Sequence, residues 1–144
     1  MTDLYPHVAP VGEKEGSAAL AGFETFKTEC IACHAINGSG GSIGPDLSAL
    51  GRGLPVDMIV TEVVWPGLNV KEGYEAATVT LKDGRVVTGF KQADTGDGIA
   101  IREMNGGEIR TLQRSEIAGV QSGGTVMADG LTATMSEQEL AHLI

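Results

Sequence analysis

The residues of this chain best suited to chemistry are Cys30-Ile31-Ala32-Cys33-His34. Two cysteines separated by two residues and followed at once by a histidine form the C-x-x-C-H pattern of covalent c-type haem attachment. The chemistry needs that spacing. On one turn of helix the two sulfurs share a face. From there they reach the two vinyl groups of one porphyrin, and the histidine points a ring nitrogen at the iron. The chain holds 2 cysteines in all, so a zinc site would lack its second ligand pair. A Cys30–Cys33 disulfide is one competing reading. A thioredoxin-like redox pair is another, but it wants a βαβ context, and the residues ahead of the motif read as helix.

Several elements must position that motif. Residues 1–14, with Pro6, Pro10 and Gly12, read as an irregular lead-in. From Glu15 the apolar residues Ala19, Phe23, Phe26 and Cys30 recur at helical spacing, which predicts a helix running into the motif. The run Gly38-Ser39-Gly40-Gly41-Ser42-Ile43-Gly44 has linker composition. Lying between His34 and Gly44-Pro45-Asp46-Leu47, it reads as a loop that must pass close to a haem, and glycine permits that approach. Pro55 to Trp65 carries a stripe of Val56, Ile59, Val60, Val63 and Val64, bounded by Pro55 and Pro66. Its β-branched content suits a buried strand equally well, but its length favours helix.

From Tyr74 the period becomes alternating. Ala77 to Leu81, Arg85 to Phe90, Gly98 to Arg102, Glu108 to Leu112 and Ile117 to Val120 read as five short strands. Asp83-Gly84 and Asn105-Gly106 mark tight hairpins, and five short strands in about fifty residues suit a small barrel. Ser136-Glu137-Gln138-Glu139 is a capping box opening a last helix.

The 144 residues are about one domain by length and can bury a core. Aromatics are scarce and there are 21 glycines, so a bound haem is expected to fill space that Phe and Trp leave open. With 19 acidic and 10 basic residues the formal charge is −9, which argues against nucleic acid and anionic membrane surfaces. It suits either plain solubility or steering toward a partner with a positive face. No stretch approaches the ~20 apolar residues of a membrane span, and Met1-Thr2-Asp3-Leu4 does not open a signal peptide. Haem attachment outside the cytoplasm predicts a periplasmic or similar location, with a signal peptide or upstream domain lying outside this sequence.

Taken together, the helix with Ala21-Gly22 and Phe26 before the motif, Gly44-Pro45-Asp46-Leu47 after it, and Val126-Met127-Ala128-Asp129-Gly130-Leu131 ahead of the last helix resemble a class I cytochrome c. More narrowly, they resemble a haem-binding domain family often fused to sugar-dehydrogenase-like β-propellers. Its methionine loop usually reads Met-Pro-x-Gly-Leu; here Ala128 replaces the proline. The resemblance implies a mainly α cytochrome c core, residues 1–70 and 121–144, interrupted at 71–120 by a small all-β, five-stranded barrel-like insertion. It implies one haem c, bound through two thioethers, with its iron held between His34 and Met127. Met1, Met58, Met104 and Met135 are the rival methionines, and His7 and His142 the rival imidazoles.

The resemblance further implies that the Pro45 carbonyl accepts a hydrogen bond from His34. Arg52 and Trp65 would donate to haem propionates. The function so implied is single-electron transfer rather than catalysis, with a redox partner protein or a fused dehydrogenase domain as neighbour. The alternative is a haem-based ligand sensor or peroxidase-like protein in which Met127 is displaceable, a reading that Ala128 favours. The stretch from Lys71 to Val120 contains no histidine or cysteine; it reads as a docking surface or a cover for one haem edge.

Overall fold

The computed structural model describes residues 13–104 and 107–144. Met1, His7 and the Asn105-Gly106 hairpin lie outside the described residues. Helix α1 spans Glu13–Glu29 and leads straight into the cysteine motif, as its apolar spacing predicts. The next residues, Ala35–Ile36 (β1) and Ser39–Gly40 (β2), pair antiparallel as a small hairpin. Helix α2 is a single turn, Leu50–Gly53. Helix α3 spans Val56–Val64, with Pro55 at its N-cap and Trp65 at its C-cap. Proline starts a helix well because its missing N–H has no partner there in any case.

The strands β3 (Ala76–Leu81), β4 (Val86–Asp94), β5 (Gly98–Glu103), β6 (Ile109–Gln113) and β7 (Ile117–Ser122) follow. They form one antiparallel sheet in the order β6-β5-β4-β3-β7. Its inner face is a self-contained core of Ala77, Val79, Leu81, Val87, Ile99, Ile101 and Leu112, with Ile117 packed against it. On the outer face Tyr74 packs on Phe90 at 5.4 Å between ring centroids. The Arg102 guanidinium lies over both rings, at 4.8 and 4.9 Å. The chain enters and leaves this sheet at one place, because Ala76 N donates to the Gly124 carbonyl at 3.2 Å and Gly123 N to that of Ala76 at 3.0 Å.

The architecture differs from the expected mainly α core with a barrel-like insertion. Of the described residues 29% are helix and 28% strand, and the sheet is not closed. Three of the four helices are short, and irregular chain fills the stretches on either side of them. A barrel would need β6 to pair with β7. Instead a single 3₁₀ turn, Arg114–Glu116, carries the chain past the sheet edge so that β7 pairs with β3. Register shifts at Thr80/Leu81 and Lys91/Ala93 bend the sheet without closing it.

Helix α4, Glu137–Leu143, is held at its start by the reciprocal capping box. Glu139 N donates to Ser136 Oγ at 3.2 Å, and Ser136 N to Glu139 Oε2 at 2.7 Å. The Ser136 amide, and the Ser136 hydroxyl at 2.9 Å, both donate to the Glu139 carboxylate and hold it below the usual glutamate range. Helix α4 packs on α1, and Gly22 makes the close approach possible, because a Cβ there would run into the His142 carbonyl.

Ile99 and Ile101 are fully buried between strands. Ile99→Ala is expected to lower stability by about 2–5 kcal/mol through lost burial and a residual cavity. The shift of the denaturant midpoint, followed by far-ultraviolet circular dichroism, measures it.

Candidate haem attachment site

The site grows directly out of α1. Cys30 N and Ile31 N both donate to the Phe26 carbonyl, at 2.9 and 3.0 Å, and His34 N donates to the Cys30 carbonyl at 2.9 Å. The motif is thus one further helical turn, and an i to i+4 bond sets His34 above Cys30. Both cysteines are free thiols, partly buried. Burial pushes the Cys30 thiol up, and the charges of Glu29 and Cys33 push the same way.

The loop from 37 to 48 then folds back over that turn. Asn37 and Gly38 both have positive φ, 50° and 79°, the backbone of a type I′ hairpin turn. Gly41 N donates to the Ile31 carbonyl at 2.8 Å, and Gly44 N to the Cys33 carbonyl at 2.7 Å. These anchors bring the Pro45 carbonyl oxygen to 2.7 Å from His34 Nδ1. A carbonyl can only accept, so Nδ1 carries the proton and Nε2 presents its lone pair outward.

Gly44 lies flat against the imidazole, and a Cβ on it would sit 2.5 Å from His34 Cε1. The loop's far end is fixed by Asn37 N donating to Ser48 Oγ at 2.7 Å and Ser48 N to Asp46 Oδ1 at 2.8 Å. Hydrogen bonds from the Ser48 hydroxyl and amide hold the Asp46 carboxyl below its ordinary range.

The structure therefore brings Cys30, Cys33, His34, Gly44 and Pro45 together. It does not tie the remaining predicted residues to them. Arg52 is exposed in α2. Trp65 is 60% exposed at the end of α3. Met127 is half-buried in the loop between β7 and α4, its amide donating to Thr125 Oγ1 at 3.1 Å. None of the three makes a hydrogen bond to the Cys30–His34 turn.

Sequence reasoning missed the Asn37-Gly38 hairpin, although Asn-Gly is the strongest short hairpin signal; the glycine-rich run beside it concealed the signal. Gly44 as the surface against which the imidazole rests carried no sequence signal beyond its place before Pro45.

The residues fit a porphyrin rather than a bare ion. No group of three or more His, Cys, Asp or Glu among the described residues could hold a metal alone. Phe26, whose carbonyl caps the motif, is buried, and elsewhere among the described residues Leu20, Val56, Met58, Leu68 and Val126 are between 43% and 67% exposed.

Residues 19–59 match the cytochrome c family model. The matched segment contains most of α1, the C-x-x-C-H turn, the loop through Pro45 and the start of α3. It implies a covalently bound haem c with iron, held by two cysteines at the required spacing. It also implies haem-based electron transfer and a redox partner. The sheet and the Met127 loop lie outside the match. A comparison with curated protein sequences finds no match. No described helix is long and apolar enough to cross a membrane.

Proposed function

We propose that this chain passes single electrons through a six-coordinate haem c held by Cys30, Cys33, His34 and Met127, outside the cytoplasm, between a donor dehydrogenase or partner domain and a downstream acceptor. The observation that carries this reading is the 2.7 Å contact of His34 Nδ1 with the Pro45 carbonyl on a turn that also presents two free thiols. Cys30 and Cys33 supply the two sulfurs that become thioethers. Pro45 fixes the tautomer and ring orientation of His34 and makes its Nε2 a better donor to a metal. Met127 would supply a thioether sulfur as a further ligand. Arg52 and Trp65 donate hydrogen bonds to propionates. Held by these residues, a haem would supply a one-electron centre, and a methionine ligand would raise its potential. Residues 71–120 are an inserted module between two parts of the haem domain. Its own core and its adjoining entry and exit strands support that division.

Met127→Ala tests the ligand. The oxidised protein is expected to show the weak far-red sulfur-to-iron band, and the variant to lose it completely and to bind carbon monoxide when reduced. Met135→Ala, beside the capping serine, is expected to keep the band. Persistence of the band in Met127→Ala would falsify the assignment. A wild-type protein without it that binds carbon monoxide rapidly would instead be a ligand sensor.

A further inference from the structure

Among the described residues the buried aliphatic and aromatic side chains are divided unevenly. Outside the five-stranded sheet they are Phe26 and Ile59, whereas the sheet buries Ala77, Val79, Leu81, Val87, Phe90, Ile99, Ile101 and Leu112, most of them in one cluster. Apolar burial is the main force that closes a fold. The sheet therefore has the means to fold without a haem.

The same sheet ties together the two segments through which the chain enters and leaves it. Besides the bonds between Ala76 and Gly123-Gly124, Lys91 of β4 reaches both sides of the joint. Its amide donates to the Glu75 carbonyl at 2.9 Å, and its ammonium donates to Glu75 Oε1 at 3.1 Å and to Ser122 Oγ at 3.4 Å. At the register shift just after it, Gln92 Nε2 donates back to the Gly73 carbonyl at 2.8 Å. The Lys91 side chain is 22% exposed, the most sheltered cation of the ion pairs in the sheet, so water screens this contact least. Beyond the joint Gly123 and Gly124 turn the chain with φ of 125° and 75°, values that a residue with a Cβ adopts only at a cost. Thr125 and Val126 alone then separate the joint from Met127, whose amide is held by Thr125 Oγ1.

We propose that Lys91 is a positioning residue for Met127: it closes a clamp, formed by the sheet ahead of haem attachment, that fixes where the methionine loop leaves the fold. Its action on the iron rests on the assignment of Met127 as a ligand. His34 and Met127 lie 93 positions apart. With Ala76 held to Gly124, the free connection is the 42 positions from His34 to Ala76 and the 3 from Gly124 to Met127. The penalty for closing a flexible chain grows as the three-halves power of its length, so the clamp favours the methionine contact by about threefold.

Imidazole titration of the oxidised holoprotein tests this, since added imidazole takes the iron only while the methionine is off it. Lys91→Ala is expected to bind imidazole about two- to threefold more tightly than the unaltered protein. Lys91→Arg, which can still donate to Glu75 and Ser122, should restore the original affinity. Arg110→Ala, which breaks only the Glu103 pair on another strand, should change nothing. In a Met127→Ala background the effect of Lys91→Ala should vanish, because no methionine is left to position. A second measurement needs no haem. In the full chain with both cysteines replaced (C30S, C33S), the amides of Ala76 and Gly123 should stay protected against hydrogen exchange, and adding Lys91→Ala should expose them.

An equal effect of Lys91→Ala with and without Met127, or none in its presence, would overturn the positioning role. Free exchange at Ala76 and Gly123 in the haem-free chain would overturn the clamp. An oxidised protein lacking the sulfur-to-iron band would instead sink the ligand assignment, a failure that the exchange measurement does not share, so the two are distinguishable.

Discussion

With Cys30 and Cys33 both replaced by serine, acidified organic solvent is expected to extract all of the haem from the denatured chain, whereas the unaltered protein should retain all of it. The difference is all-or-none because unfolding breaks metal coordination but leaves carbon–sulfur bonds intact. Serine keeps nearly the shape of cysteine but offers no sulfur to the porphyrin, so the partly buried positions of both residues are preserved. Each single variant retains one thioether and is expected to hold its haem through extraction. Pigment remaining on the double variant after extraction would show that attachment does not run through this turn. The spectrum of the pyridine adduct gives a second readout, since it reports how many vinyl groups are saturated.

Gly44→Val is expected to produce the largest effect of any change outside the attachment residues. A Cβ at 44 would lie 2.5 Å from His34 Cε1 and 2.8 Å from Nδ1, closer than any real carbon contact. The neighbouring backbone has little freedom to give way, because Gly44 N donates to the Cys33 carbonyl at 2.7 Å and Gly41 N is tied to Ile31. The imidazole must therefore turn, losing the Pro45 bond. That loss costs about 1–3 kcal/mol, and the overpacking a further ~1–3 kcal/mol. The expected outcome is a denaturant midpoint lowered by a corresponding amount. In the loaded protein it is accompanied by partial loss of the low-spin haem spectrum. Gly51→Ala is the control, since nothing lies within 4 Å of a Cβ there, and it should be neutral or slightly stabilising. A Gly44→Val protein as stable as the unaltered chain would show that the loop can yield and that the imidazole is not held by contact.

Much of the local structure was legible from residue order. Period-2 stretches located all five strands of the large sheet to within a few residues, since one face of each is covered and alternation follows from that. Pro55 and the Ser136–Glu139 box located two helix starts, because each satisfies or avoids backbone groups by purely local chemistry. The overall proportions were not legible. The helices are short enough for strands to match them in extent, and an open rather than closed sheet depends on where β7 pairs after the turn at Arg114–Glu116. Alternation specifies which face of a strand is covered but not which strand lies beside it. The outer-face packing of Arg102 on Tyr74 and Phe90 was hidden for a related reason, as an arginine in a strand reads as exposed.

The sequence by itself determined the chemistry: two cysteines and a histidine at fixed intervals admit few uses, and their spacing is a property of the chain rather than of its folding. Tertiary structure alone decided the orientation of that chemistry. The 2.7 Å approach of Pro45 to His34, the bare Gly44 surface beneath the imidazole and the crossing of α1 and α4 at Gly22 all join segments separated along the chain. Such contacts depend on loop geometry and on which backbone atoms can come close, and residue type alone does not specify either.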